Sequence, residues 1–193
     1  MANKTVEHER DAVDLITDCM YSLGYLQSIS DATFSDEKNQ VTVGQFYAEW
    51  LKASGCPRII IPFNPGIFLA YLYVGILYAK ENWFELLPND AIEHCQDDWG
   101  LRGAPINCPK QSSPSIRYAV RRIRNSLGHG HPTVSIPQDI SKDQMFARIS
   151  ISFHDKSVRD ASHTFDIVLT LDQLVRLVKK FQSVVHRHVR EKS

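Results

Sequence analysis

Neither sign of charge dominates this sequence. Lys+Arg and Asp+Glu both number 22 in 193 residues, so no overall field draws the molecule onto nucleic acid or anionic lipid. Any basic surface must be local. Cysteine is sparse: Cys19, Cys56, Cys95 and Cys108 form no CxxC pair. That excludes a disulfide-stapled miniprotein and leaves reduced thiols that mostly fill the core. His94-Cys95 with Cys108 matches no zinc spacing, so no metal site is expected. Nine glycines and nine prolines are too few for a collagen-like or low-complexity chain. GxGxxG, P-loop and HExxH motifs are all missing, and no cofactor is implied. The polar start, MANKTVEHERDAVD, has no apolar core of a secretory signal, and the expected location is cytoplasmic. Uncharged residues run from Ile59 to Ala79, but Pro62, Asn64 and Pro65 interrupt them. The continuous part, Gly66 to Ala79, reaches about 21 Å as a helix, short of the roughly 30 Å of a bilayer core. A buried helix is expected there, and no membrane partner.

With 43% hydrophobic and 23% charged residues, the chain reads as one globular domain over residues 1–193. Helices are expected over about Val6–Ser28, from a Thr42 cap through Leu51, and from the Asn64-Pro65 cap to about Phe84. Further helices are expected over Asn89–Trp99, from Ser113-Pro114 to about His129, and over Leu171–Arg190. Ser30–Gln40 and Gly100–Ser115 read as loops. Period-two alternation marks strands at Ala147–Phe153 and His163–Thr170, with a polar connection that makes an antiparallel hairpin. Ser152, His154 and Asp155 are expected to be exposed on that hairpin. The fold class is therefore mainly α: a helical bundle with a β-hairpin, at about residues 147–170, inserted before the C-terminal helix. The basic residues of that last helix, Arg176, Lys179, Lys180, Arg187 and Arg190, read as a solvated face, with extension of an RNA path as the alternative.

Two opposite blocks hide inside the zero net charge. Glu81 to Asp98 holds six acids and no Lys or Arg, whereas Gly100 to Gln138 holds six bases and no acid. The blocks could simply pair. The helix through Ile116–His129 suggests more. At 100° per residue, Ile116, Val120, Ile123 and Leu127 fall within about 60° and form a core stripe. Arg117, Arg121 and Arg124 form a second stripe, and Arg122, Asn125 and His129 a third. Arg124 and His129 are about 140° apart with Asn125 between them.

Arg124-Asn125-Ser126-Leu127-Gly128-His129 resembles the R-N-x-x-x-H signature of the HEPN superfamily, at the end of a late helix. The looser R-x(4–6)-H pattern arises about 1.5 times by chance in this composition, and Asn directly after Arg lowers that to about 0.02. The resemblance implies a HEPN-like helical bundle and a metal-independent endoribonuclease. Such an enzyme uses the neighbouring 2′-hydroxyl as nucleophile, so RNA is the implied substrate. His129 is assigned to acid–base work, Arg124 to phosphate binding, and Asn125 to orienting the phosphate or the histidine. His131 is a possible accessory, and Arg117, Arg121 and Arg122 are candidate RNA contacts. A homodimer with a shared site is implied, as are a toxin or anti-phage role and an antitoxin protein as partner. The tyrosine that follows the motif in the nucleotidyltransferase-paired branch is replaced by His131-Pro132. A non-catalytic HEPN-like module that binds RNA or protein is the alternative, and a scaffold of paired charge blocks is a third reading.

Overall fold

The computed structural model describes residues 18–32, 41–55, 62–96, 98–139, 144–157, 160 and 162–192. Two compact units divide the chain, Met1–Tyr71 and Leu72–Ser193.

In the first unit, residues 18–32 are helical (α1). The expected start near Val6 lies outside the described residues. The helix continues past Ser28 because the buried positions do: Tyr25 and Ala32, seven residues apart, are both buried, which is two helical turns. Helix α2 spans Val43–Ala53 and opens at Thr42. Thr42 Oγ1 accepts from the Gln45 N–H at 3.2 Å, and Gln45 Oε1 accepts from the Thr42 N–H at 3.0 Å, a reciprocal capping box. Tyr25 joins the two helices, its ring centroid lying 5.0 Å from Trp50 and 5.5 Å from Tyr47 in edge-on geometry, the arrangement that aromatic quadrupoles favour. Helix α3, Pro65–Leu72, begins after Asn64, whose Oδ1 accepts from the Ile67 N–H at 3.1 Å. The amide of Asn64 also donates to Ser22 Oγ at 2.7 Å, so one buried side chain caps α3 and ties it to α1.

The apolar helix expected to reach Phe84 changes geometry instead. A π-helical stretch spans Tyr73–Tyr78, α4 spans Ala79–Trp83, and a 3-10 turn covers Phe84–Leu86. Val178 packs closely on this segment at Gly75, where a Cβ would lie 2.6 Å from a Val178 methyl. Among the described residues, the acidic helix expected over Asn89–Trp99 does not form. Its backbone pairs with the chain ahead of the motif helix instead. Ala91 bridges Ser115, the Ile92 N–H donates to Pro114 O at 3.0 Å, and the Ile116 N–H donates to Asp90 O at 3.1 Å.

Strands β1 (Ile106–Asn107), β2 (Pro132–Ser135), β3 (Ser150–Lys156) and β4 (Thr164–Thr170) form one antiparallel sheet in the order β1-β4-β3-β2. Strands β3 and β4 are thus the centre of a four-stranded sheet and not an isolated inserted hairpin. β1 lies inside the stretch read as loop, and β2 follows the motif helix; both are too short to show periodicity. Strand β3 starts later than Ala147 because Met145–Arg148 form a helical turn (α6, counting the motif helix Ile116–Gly128 as α5). The core face carries Ile151, Phe153, Phe165, Ile167 and Leu169, all at most 1% exposed. Helix α5 packs across β3. Helix α7, Leu171–Lys192, opens on a second reciprocal pair, Thr170 with Gln173, and buries Leu171, Leu174, Leu177, Val178, Phe181 and Val185.

Gly100 adopts φ +73°, and a Cβ there would sit 2.2 Å from the Gln173 carbonyl oxygen of α7. Gly100→Ala should therefore cost more than about 2 kcal/mol, since both backbone strain and a backbone clash oppose it. Gly24 lies within α1 with open space around it, and Gly24→Ala should stabilise by roughly 0.5–1 kcal/mol. Urea denaturation of the two variants checks the opposite signs.

Candidate functional site

The cap of helix α5 is Ser115, two residues after the expected Ser113. The bridge from Ala91 to Ser115 keeps the chain extended up to Ser115 (φ −79°, ψ 161°), whose Oγ accepts from the Tyr118 N–H at 3.2 Å. The core stripe read from the helical wheel is fully buried: Ile116, Val120, Ile123 and Leu127 are at most 1% exposed. At the other end, three N–H groups close the helix. His129 donates to Asn125 O at 2.9 Å, Gly130 to Leu127 O at 3.1 Å, and His131 to Ser126 O at 3.0 Å. Gly130 supplies the left-handed residue for this turn with φ +72°, a role that favours glycine. Tyr73 Oη also donates to Leu127 O, at 2.7 Å. His129 and His131 emerge exposed from this closed turn, with ring centroids 5.9 Å apart.

Arg124 stands one turn earlier, with its side chain 31% exposed. Its Nη2 donates to Glu81 Oε1 at 2.5 Å and its Nη1 donates to Asn125 Oδ1 at 3.3 Å. Asn125 Nδ2 in turn donates to Asp155 Oδ2 at 3.1 Å. The orientation of this amide follows from its neighbours. A carboxylate only accepts and a guanidinium only donates, so the NH₂ must face Asp155 and the oxygen must face Arg124.

The three arginines read as RNA contacts have three different fates. Arg122 is 6% exposed. Its Nε lies 3.0 Å from Asp155 Oδ2, and its Nη2 donates to the backbone oxygens of Asp155 and His163 at 3.1 and 3.0 Å. The Tyr118 ring, stacked with His163, lies 5.7 Å from its guanidinium carbon. The wheel placed Arg122 on a polar stripe with Asn125 and His129, but the sheet covers the Arg122 end of that stripe and leaves His129 exposed. Arg117 is a clamp: its Nη1 bonds Glu85 Oε2 at 2.9 Å, Nη2 bonds Glu85 O at 2.7 Å, and Nε bonds Leu87 O at 2.8 Å. Arg121 is exposed, lying over the Tyr118 ring at 5.3 Å. Tyr118 itself bonds His163 Nε2 at 2.9 Å and faces Cys108, and burial with the Cys108 contact pushes its pKa up to about 12.

Asp155 was expected on the solvent side of the hairpin and is instead 2% exposed. A signal for this was present. Asp155 is in phase with Ile151 and Phe153, so strand alternation puts it on the core face. The charge blocks also meet in part, through Glu81–Arg124 and Glu85–Arg117. Arg176 pairs with Asp98, whose carboxyl is held below its usual range mainly by the Gly100 N–H and then by Arg176. Among the described residues, no group of three or more His, Cys, Asp or Glu is placed to hold a metal ion. Nor is any helix among them long and apolar enough to cross a membrane.

A helix-rich chain with a small antiparallel sheet and Arg-Asn one turn before a helix-ending His fits a protein of HEPN type. The family model described as HEPN pEK499 p136 matches residues 1–192, and the chain belongs to that family. Neither a curated protein nor a solved structure matches it.

Removing one partner from a buried ion pair leaves the other charge uncompensated. Arg122→Ala should therefore destabilise by about 3–5 kcal/mol, while Arg121→Ala should stay within about 0.5 kcal/mol. Equal losses in denaturant melts would place the two side chains in similar surroundings, against the structure.

Proposed function

We propose that this HEPN-family protein is a metal-independent endoribonuclease. The observation that supports this reading is the end of α5. There two exposed imidazoles emerge from one closed turn, one helical turn beyond a guanidinium oriented by hydrogen bonds. In the reaction, a base takes the proton of the 2′-hydroxyl as the 2′-oxygen bonds to phosphorus. The bond from phosphorus to the 5′-oxygen then breaks, and an acid protonates the leaving oxygen. His129 serves acid–base catalysis, and His131 supplies a second imidazole beside it. Arg124 stabilises the charge that builds on the phosphate oxygens. To do so it exchanges Glu81 for the phosphate. That exchange is cheap, since an exposed pair of this kind contributes only about 0–1 kcal/mol. Arg121 offers an exposed cation for the RNA backbone, whereas Arg117 and Arg122 act inside the protein.

The same pairing of Arg124 with Glu81 favours a second reading, a HEPN-like module that binds RNA or a protein partner without cutting. Roles as a cytoplasmic toxin with a cognate antitoxin, or in defence against phage, are carried over from the family resemblance alone.

RNA mixtures incubated with the purified protein in excess chelator should be cleaved, leaving 2′,3′-cyclic phosphate ends. A 2′-deoxy substitution at the scissile nucleotide, Arg124→Ala and His129→Ala should each abolish cutting. Cleavage that vanishes in chelator and returns with Mg²⁺ would sink this mechanism, and binding without cleavage would favour the second reading.

We also propose that two copies share the site. Arg124 and His129 of one chain are about 140° apart around the axis, and a two-fold axis near Asn125 would bring Arg124 of one copy towards His129 of the other. Arg124→Ala and His129→Ala homodimers should be inactive, and heterodimers refolded from their mixture should regain part of the activity. A monomer that cuts RNA at working concentration rules the shared site out.

A further inference from the structure

We infer that Asp155 is a positioning residue of this site, acting on Arg124 through the side-chain amide of Asn125. The inference rests on the ribonuclease reading for its catalytic consequence, though not for its geometry.

A carboxylate buried on the core face of β3 needs neutralisation, and Arg122 supplies it at 3.0 Å. Charge balance alone would be met there. Yet the same oxygen, Oδ2, also accepts from Asn125 Nδ2 at 3.1 Å, and this second bond has a directional consequence. An asparagine amide can present oxygen or nitrogen to either side, and a flip exchanges them. Here an acceptor-only carboxylate stands on one side and a donor-only guanidinium on the other, so only one orientation makes both bonds. The Arg124 guanidinium is therefore held at Nη1 by an oxygen whose direction is set from the sheet. Among the described residues its Nη2 edge meets the carboxylate of Glu81, which is 48% exposed. The inner end of the chain Arg122–Asp155–Asn125–Arg124 is buried and held by an ion pair and a hydrogen bond, and the outer end is exchangeable for a phosphate. A phosphate-binding arginine benefits from this arrangement, because a guanidinium already oriented loses less freedom when it engages the transition state.

The test is a double-mutant cycle with a side-chain readout. Asp155→Asn keeps the volume but offers either an oxygen or a nitrogen to Asn125, so the directional lock is lost. Asp155→Asn and Asn125→Ala should each lower kcat about ten- to a hundredfold with little change in KM. Combined, they should be no worse than Asn125→Ala alone, within about twofold. A merely structural Asp155 would give losses that multiply, and that result overturns the inference. Should Asp155→Asn fail to fold because Arg122 is left charged, the neutral pair Arg122→Gln with Asp155→Asn replaces it in the same cycle.

A measurement without catalysis decides the geometry. In nitrogen-15 spectra of the wild-type protein, the Asn125 side-chain amide should exchange slowly with solvent. The Asp155 variant should lose that protection and shift the Arg124 Nε signal. An Asn125 amide that exchanges freely in the wild type, or an Arg124 signal blind to Asp155, refutes positioning whether or not RNA is cut. Conversely, a wild type that cuts no RNA but shows the protected amide and the coupled Arg124 signal defeats the ribonuclease reading and leaves the positioning intact.

Discussion

The ion pair between Arg122 of α5 and Asp155 of β3 is the constraint on which the arrangement around the motif depends. Both side chains are almost wholly buried, 7% and 2% exposed, and taking each charge out of water costs several kcal/mol. The pair persists because further hydrogen bonds support each partner. Arg122 donates to two backbone oxygens, and Asp155 accepts from Asn125. A hydrophobic contact would let the helix rotate or slide by a few degrees. A hydrogen-bonded pair with fixed donor directions does not, and it sets which edge of α5 faces the sheet. With that edge fixed, Ile116, Val120, Ile123 and Leu127 fill the core. Arg124 lies at the margin, and His129 leaves at the end of the helix.

Charge elsewhere is distributed by a different logic. The pairs Glu81–Arg124, Glu85–Arg117 and Asp98–Arg176 each include a partner about half exposed or more, so solvent and salt screen them and each contributes little. Their effect is on position. Arg117 also grips the carbonyls of Glu85 and Leu87, which ties α5 to the turn where the preceding apolar helix ends. Arg121, in the same helix, has its guanidinium exposed over a tyrosine ring. Arginines within one basic run thus divide between a buried strut, a clamp, a marginal fork and an exposed cation, and only burial and partners distinguish them.

Local rules account for much of this protein. The Thr42 and Asn64 caps, the stop at Gly130, the core stripe of α5 and the two central strands all depend on groups within a few residues of one another, and they were legible in the sequence. The Arg124-Asn125-His129 motif belongs with them, because its spacing along one helix is a matter of 3.6 residues per turn. Phase along β3 even marked Asp155 as inward-facing, although its charge argued for solvent.

Only the tertiary structure decided the rest, and in each case the partner is distant in the chain. Residues 88–92 forgo helix because 114–117 offer them backbone bonds, and β1 exists only because β4 pairs with it. The change to π-helix at Tyr73 accompanies the close approach of Val178 to Gly75. Arg122 turns inward because a carboxylate 33 residues later waits on the face of β3 that α5 covers. Sequence determined which groups each element offers, since periodicity and capping act over one or two turns. Which of those groups meet was settled by packing, since burial makes an unpaired charge or an unpaired backbone group too costly to leave alone.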